Sequence, residues 1–308
     1  MSIDKLIEKI IDKQNPTVAG LDPLLSYIPE HILEEAKNSS DDPFTCAANA
    51  LLSFNKGLID ELCDIVPAVK PQSAYYELYG WQGVRAYHET VAYAKSRGLY
   101  VIGDVKRGDI GSTAEAYAKG HIGETDIFGK SYRAFNEDAV TVNPYLGTDG
   151  IDPFLKLCSD RMIFILVKTS NKSSGEYQDR ISDGKTLYEL VAENVKKYGE
   201  TLMGKYGYSA AGAVVGATYP KQLASLREQC PSTFFLVPGY GAQGGGASDA
   251  AAAFDKRGLG AVVNSSRGIM CAWKKENCHG KDFAKAARRE AIRMKEDLLS
   301  VLGGRITY

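Results

Sequence analysis

The chain has 308 residues, 44% hydrophobic and 24% charged, with a formal net charge of −1, an ordinary globular composition that allows one large domain or two modest ones. So little net charge gives bulk electrostatics no pull toward nucleic acid or an acidic membrane, and an anionic ligand needs a local site. No apolar run approaches the roughly 18 residues of a membrane span.

Met1 to Lys13 reads as a charged amphipathic helix and not as a signal peptide. Six cysteines (Cys46, Cys63, Cys158, Cys230, Cys271, Cys278) lack Cys-x-x-Cys spacing and are expected to be reduced thiols of a cytoplasmic protein. The histidines (His31, His88, His121, His279) are scattered without metal-ligand spacing.

Eight short apolar, β-branched runs follow: Thr17 to Asp22, Val66 to Gln72, Tyr100 to Lys106, Ala139 to Asn143, Met162 to Thr169, Ala211 to Thr218, Thr233 to Gly239 and Gly260 to Ser265. Helical patterns separate them, around Ala47 to Cys63, Trp81 to Arg97, Thr113 to Ala134, Asp152 to Cys158, Lys185 to Lys205, Lys221 to Gln229 and Ala247 to Arg257, with a final helix from about Lys281 to Leu299. Strand and helix alternating eight times predict an α/β fold, a (β/α)₈ TIM barrel formed as a single domain over 1–308. A doubly wound sheet predicts a Gly-rich turn after the first strand, and Gly20-Leu21-Asp22-Pro23 offers none. Surplus length falls at Leu24 to Phe44 and Ser170 to Gly184, both after strands and therefore at the carboxyl face, where barrel enzymes build their sites.

The stretch Val101-Ile102-Gly103-Asp104-Val105-Lys106 places Ile102, Asp104 and Lys106 on one face of an extended strand. Opposite charges in a barrel interior imply pairing with each other or with a ligand. A structural ion pair is the plain alternative, but Asp109, three residues on in a Gly-flanked turn, is a third charge that packing does not explain. Lys70 shares a strand face with Ala68 and Gln72, either pointing inward or snorkelling to the surface. Asp22 before Pro23 starts a turn or meets a ligand, and Ser170 is loop polarity or a ligand contact. The loops after strands seven and eight carry Pro238 to Gly246, with Gln243, and Asn264-Ser265-Ser266-Arg267-Gly268. Barrel phosphate sites are commonly built there, and Arg267 offers a planar fork for a dianion. Asn143, Lys168 and Tyr240 also sit at strand ends, without an evident role.

These residues resemble the orotidine 5′-phosphate decarboxylase family. Its Asp-x-Lys-x-x-Asp-Ile-x-x-Thr motif stands as Asp104, Lys106, Asp109, Ile110 and Thr113; its first-strand aspartate is similar to Asp22, its second-strand lysine to Lys70, and its phosphate residues to Gln243 and Arg267. The resemblance implies decarboxylation of orotidine 5′-monophosphate (OMP) to UMP in pyrimidine biosynthesis, without cofactor or metal. Lys70, Asp104, Lys106 and Asp109 would be catalytic; Asp22, Ile110, Thr113, Ser170, Gln243 and Arg267 would bind substrate. It further implies a cytoplasmic homodimer in which Asp109, Ile110 and Thr113 complete the neighbouring site, with neither nucleic acid nor membrane as partner. Two other readings stay open: a metal-dependent sugar-phosphate decarboxylase or synthase on the same barrel, for which a cation at Lys70 is unfavourable, and a non-catalytic nucleotide-binding protein.

Overall fold

All eight apolar runs become strands: β1 (Thr17–Leu21), β2 (Ala68–Pro71), β3 (Tyr100–Arg107), β4 (Ala139–Val142), β5 (Met162–Lys168), β6 (Ser209–Val215), β7 (Thr233–Val237) and β8 (Ala261–Ser265). In the computed structural model, which describes residues 1–241, 245–276 and 280–307, each strand pairs in parallel with the next. β8 closes the barrel on β1 with Val18 opposite Asn264 and Ala19 opposite Ser265. Most strand residues are buried, as expected of a parallel sheet that is filled inside and covered by helices outside.

The amphipathic start forms the helix Ser2–Lys13 and buries Ile3, Leu6, Ile7 and Ile10 completely, the three-and-four spacing of one helical face. Its Ser2 hydroxyl lies 2.8 Å from the Tyr100 hydroxyl at the start of β3 and donates to Asp138 O before β4. The helix therefore covers the amino-terminal ends of the strands and leaves the carboxyl ends for the site. The last helix, Phe283–Val301, packs on the helix Pro43–Leu62, with the Phe54 and Phe283 rings 5.1 Å apart. Among the described residues no helix is long and apolar enough to cross a membrane.

One predicted helix is half wrong. The pattern from Thr113 to Ala134 gives a helix only over Gly111–His121, followed by an exposed hairpin, Thr125–Ile127 with Lys130–Tyr132. Its two turn residues, Phe128 and Gly129, both have positive φ (55° and 79°), as in the tight hairpin turn whose twist suits the flanking strands. Periodicity read straight through Gly120 and Gly123 missed the break. The helix predicted over Lys185 to Lys205 is trimmed to Leu187–Gly199; its Thr186 amide and hydroxyl both donate to Glu189 at the first turn, a capping box visible in the sequence. Both surplus segments carry regular structure: Leu25–Tyr27 is a 3₁₀ turn and Glu30–Lys37 an α-helix, and Lys172–Glu176 is a short 3₁₀ helix before the hairpin Ile181–Ser182 with Lys185–Thr186.

Candidate active site

A cavity of about 690 Å³ opens at the carboxyl ends of the strands and is lined by residues from every strand or the loop after it. Its floor is a chain of charges. The Lys106 ammonium donates to Asp104 Oδ1 at 2.6 Å, and Asp104 Oδ2 accepts from the Lys70 ammonium at 2.7 Å. Lys70 Nζ in turn stands 3.9 Å from Asp22 Oδ1. Lys70 and Asp104 are buried, whereas the Lys106 side chain is 46% exposed. The exposed end of the array thus faces the space where a ligand would lie.

Burial by itself would neutralise these groups. It pulls Lys70 down, but the charges of Asp104 and Asp22 and the Asp104 hydrogen bond outweigh it and hold the ammonium above its ordinary value. Burial likewise pushes Asp104 up, and the Lys70 and Lys106 ammoniums overcome it, leaving the carboxyl well below the usual carboxylate range. Among the described residues Asp22 Oδ1 is buried with no hydrogen-bond partner, and its only close charge is the Lys70 ammonium.

Lys106 reaches Asp104 by a different route from simple alternation. Gly103 pairs with Val140, but the next residue to pair is Arg107, with Val142, so β3 carries extra residues there. Within this bulge Lys106 has φ 46°. A non-glycine residue in the left-handed region costs on the order of 1–3 kcal/mol, and such strain gathers at functional sites. The Lys106 amide, displaced from the ladder, donates instead to the Thr141 hydroxyl at 2.9 Å.

The remaining expected residues divide into two groups. Asp22, Ser170 and Arg267 line the cavity, together with Pro238, Gly239 and Tyr240 from the loop after β7. Ser170 comes close because Gly216 has no side chain; a Cβ there would stand 2.8 Å from the Ser170 Cβ. Gln243 falls outside the described residues. Asp109, Ile110 and Thr113 do not line the cavity of their own chain. Ile110 and Thr113 are exposed on the rim, and Asp109 accepts a hydrogen bond from the Ile110 amide at 2.8 Å. Within one chain the fourth charge of the array is therefore Asp22, not Asp109.

Sequence reading did not single out Thr141, Tyr27, Tyr75 or Gln178, all of which line the cavity, nor the apolar wall of Leu166, Val214 and Leu236. A lone threonine in the apolar strand Ala139–Val142 was the one available signal. The three strand-end residues of open role each have side-chain partners outside the charge array. Asn143 Oδ1 accepts from the Tyr145 amide in a turn after β4. Tyr240 donates to Asp297 of the last helix, which together with burial pushes its hydroxyl up to about 12. Lys168 binds Asp179 and Ser174 of the segment after β5.

Comparison with known proteins gives the family. Residues 51–277 match the orotidine 5′-phosphate decarboxylase / HUMPS family. A Clostridium kluyveri orotidine 5′-phosphate decarboxylase is 43% identical over 306 residues, 98% of each chain. The chain belongs to this family. Among solved structures, Leishmania donovani OMP decarboxylase superposes with a TM-score of 0.70 at 30% identity, covering 96% of this chain and 98% of that one. The L. donovani UMP synthase gives 0.71 at 32% identity over 95% of this chain, which spans only 56% of that longer protein.

Proposed function

We propose that the chain is an orotidine 5′-monophosphate decarboxylase, acting in the cytoplasm as a homodimer and releasing UMP and carbon dioxide. The observation that carries this reading is the Lys70–Asp104–Lys106 array on the floor of the cavity, in a chain of this family. When the bond from pyrimidine C6 to the carboxylate breaks, the electron pair stays on C6 and carbon dioxide leaves neutral. Lys106 Nζ then donates its proton to C6, and the neutral amine regains one from solvent. An ammonium about 4 Å from the developing carbanion, at an effective dielectric near 20, is worth roughly 4 kcal/mol, on the order of a thousandfold in rate. Fixed charges of this kind stabilise the transition state without reorganising.

Asp104 holds the Lys106 ammonium in place through its hydrogen bond. Lys70 and Asp22 suit ribose hydroxyls, Ser170 the pyrimidine amide, and Arg267 the phosphate beside Pro238 and Gly239, with Gln243 as a further donor. The family name also covers other chemistry, and a metal-dependent reaction would place a divalent cation among these carboxylates. Lys70, a cation 2.7 Å from Asp104 and 3.9 Å from Asp22, takes that position.

The dimer is supported by the rim. Leu78, Trp81, Ile110, Tyr117, Tyr145 and Leu146 are all exposed and follow three neighbouring strands, β2, β3 and β4. An apolar patch of this kind marks an interaction surface, and a two-fold contact there would carry Asp109, Ile110 and Thr113 to the neighbouring cavity. Lys106→Ala is expected to abolish OMP turnover while UMP still binds; unchanged turnover would refute the reading. Mixing inactive Lys106→Ala with inactive Asp109→Ala subunits should restore part of the activity, and no recovery would refute shared sites.

A further inference from the structure

We propose that Thr141 is a positioning residue whose hydroxyl sets the geometry of the Asp104–Lys106 pair. This rests on the decarboxylase reading above. Thr141 is 1% exposed on β4 and is the residue between Val140 and Val142, opposite the bulged stretch of β3 that runs from Asp104 to Lys106.

Its hydroxyl closes a ring of hydrogen bonds. The Lys106 amide donates to Thr141 Oγ1 at 2.9 Å, Thr141 Oγ1 donates to Asp104 Oδ1 at 3.0 Å, and the Lys106 ammonium donates to that same oxygen at 2.6 Å. A hydroxyl has a single proton. Because the Lys106 amide occupies the oxygen as acceptor, that proton is directed at Asp104, and the residue acts as a fixed dipole and not as a free rotor. One side chain thereby fixes both ends of the pair: the carboxylate through its Oδ1, and the lysine backbone in its left-handed conformation, φ 46°.

Packing alone would not require this residue type. The adjoining Val140 and Val142 are fully buried, and valine has the shape of threonine without the hydroxyl. A valine at 141 would fill the space yet leave the Lys106 amide without its acceptor and Asp104 with one donor fewer, a change felt at Lys106 Nζ rather than in the core. Thr141 Oγ1 bonds directly to Asp104 and to the Lys106 amide, so its effect is expected in the chemical step rather than in nucleotide binding.

The test compares Thr141→Val with Thr141→Ser by steady-state OMP turnover and by titration with UMP. Misplacing a reacting group by about 1 Å can cost about a hundredfold in rate, so kcat of the valine variant is expected to fall about 10- to 100-fold. Its UMP affinity should stay within about threefold of wild type, and serine should restore most of kcat, because it keeps the hydroxyl. Wild-type kcat in the valine variant, an equal loss in serine, or a loss confined to KM would overturn the assignment. Should the valine variant not fold, Thr141→Ala removes the same hydroxyl and is read by the same criteria. Absence of turnover in the wild-type enzyme would count against the decarboxylase reading instead, which separates the two failures.

Discussion

Lys70 and Lys168 are both buried lysines on barrel strands, each ion-paired to a carboxylate at nearly the same distance, 2.7 Å to Asp104 and 2.6 Å to Asp179. Only Lys70 lines the cavity. On β5 the register with β6 shifts: Leu166 pairs with Val214, both in the cavity wall, but Val215 then pairs with Lys168 and skips Val167. Val167 and Val215 face outward beside Ala192 and Val195 of the helix Leu187–Gly199, so the bulge turns Lys168 out of the barrel as well. There its ammonium lies 4.6 Å from the Tyr219 ring centroid and 5.5 Å from that of Tyr188, and donates to Ser174 at 3.3 Å. It fastens the segment after β5 to the barrel wall. A buried, paired charge therefore marks a place where desolvation had to be offset; whether it serves chemistry depends on which side of the sheet the register puts it.

Replacing each lysine by Met sharpens that contrast most. Lys70→Met should lower kcat/KM by about a thousandfold or more, since it removes a charge interaction of roughly 4 kcal/mol at the floor. Lys168→Met should keep turnover within about tenfold while lowering unfolding stability by about 1–3 kcal/mol, read from urea melts. An equal loss of turnover in both variants would erase the distinction between inward and outward lysine.

A smaller effect is expected at the loop after β8. Arg267→Ala should weaken UMP about 10- to 100-fold and uridine hardly at all, because a hydrogen bond to a charged group contributes about 1.5–3 kcal/mol. Calorimetric titration of both ligands distinguishes this from general damage, which would weaken them alike.

The smallest effect concerns pH. Asp104 is held below its unfolded value, so its contribution to stability is present above about pH 4 and is lost as pH falls through the depressed value. Lys70 is held above its unfolded value, so its contribution is present below about pH 10 and is lost as pH rises through the elevated value. The stability difference between wild type and Lys70→Met/Asp104→Asn should thus be flat from about pH 5 to 9 and move against wild type only beyond those limits. A slope near neutrality would contradict the pairing.

The comparison of the two lysines also marks what the sequence makes legible. The eight strands and the convergence of Asp22, Lys70, Asp104 and Arg267 follow from composition and alternation, because an all-parallel barrel demands apolar strands whose polar residues gather at the carboxyl ends. The bulges in β3 and β5 do not follow from it. Period two predicts the right neighbour for Lys106 by the wrong backbone path, and gives no warning that Lys168 turns outward, since an inserted residue changes facing without changing composition. Thr141 stayed hidden for a related reason: its partners are set by the register of the strand beside it. Tyr27 and Gln178 lie on surplus segments whose folding depends on tertiary contacts and not on a local pattern.

The most direct measurement is spectrophotometric decarboxylation of OMP by the wild-type protein with a metal chelator present. The charge array predicts full turnover, unaffected by chelator or by added magnesium. Turnover that disappears with chelator and returns with magnesium would contradict it.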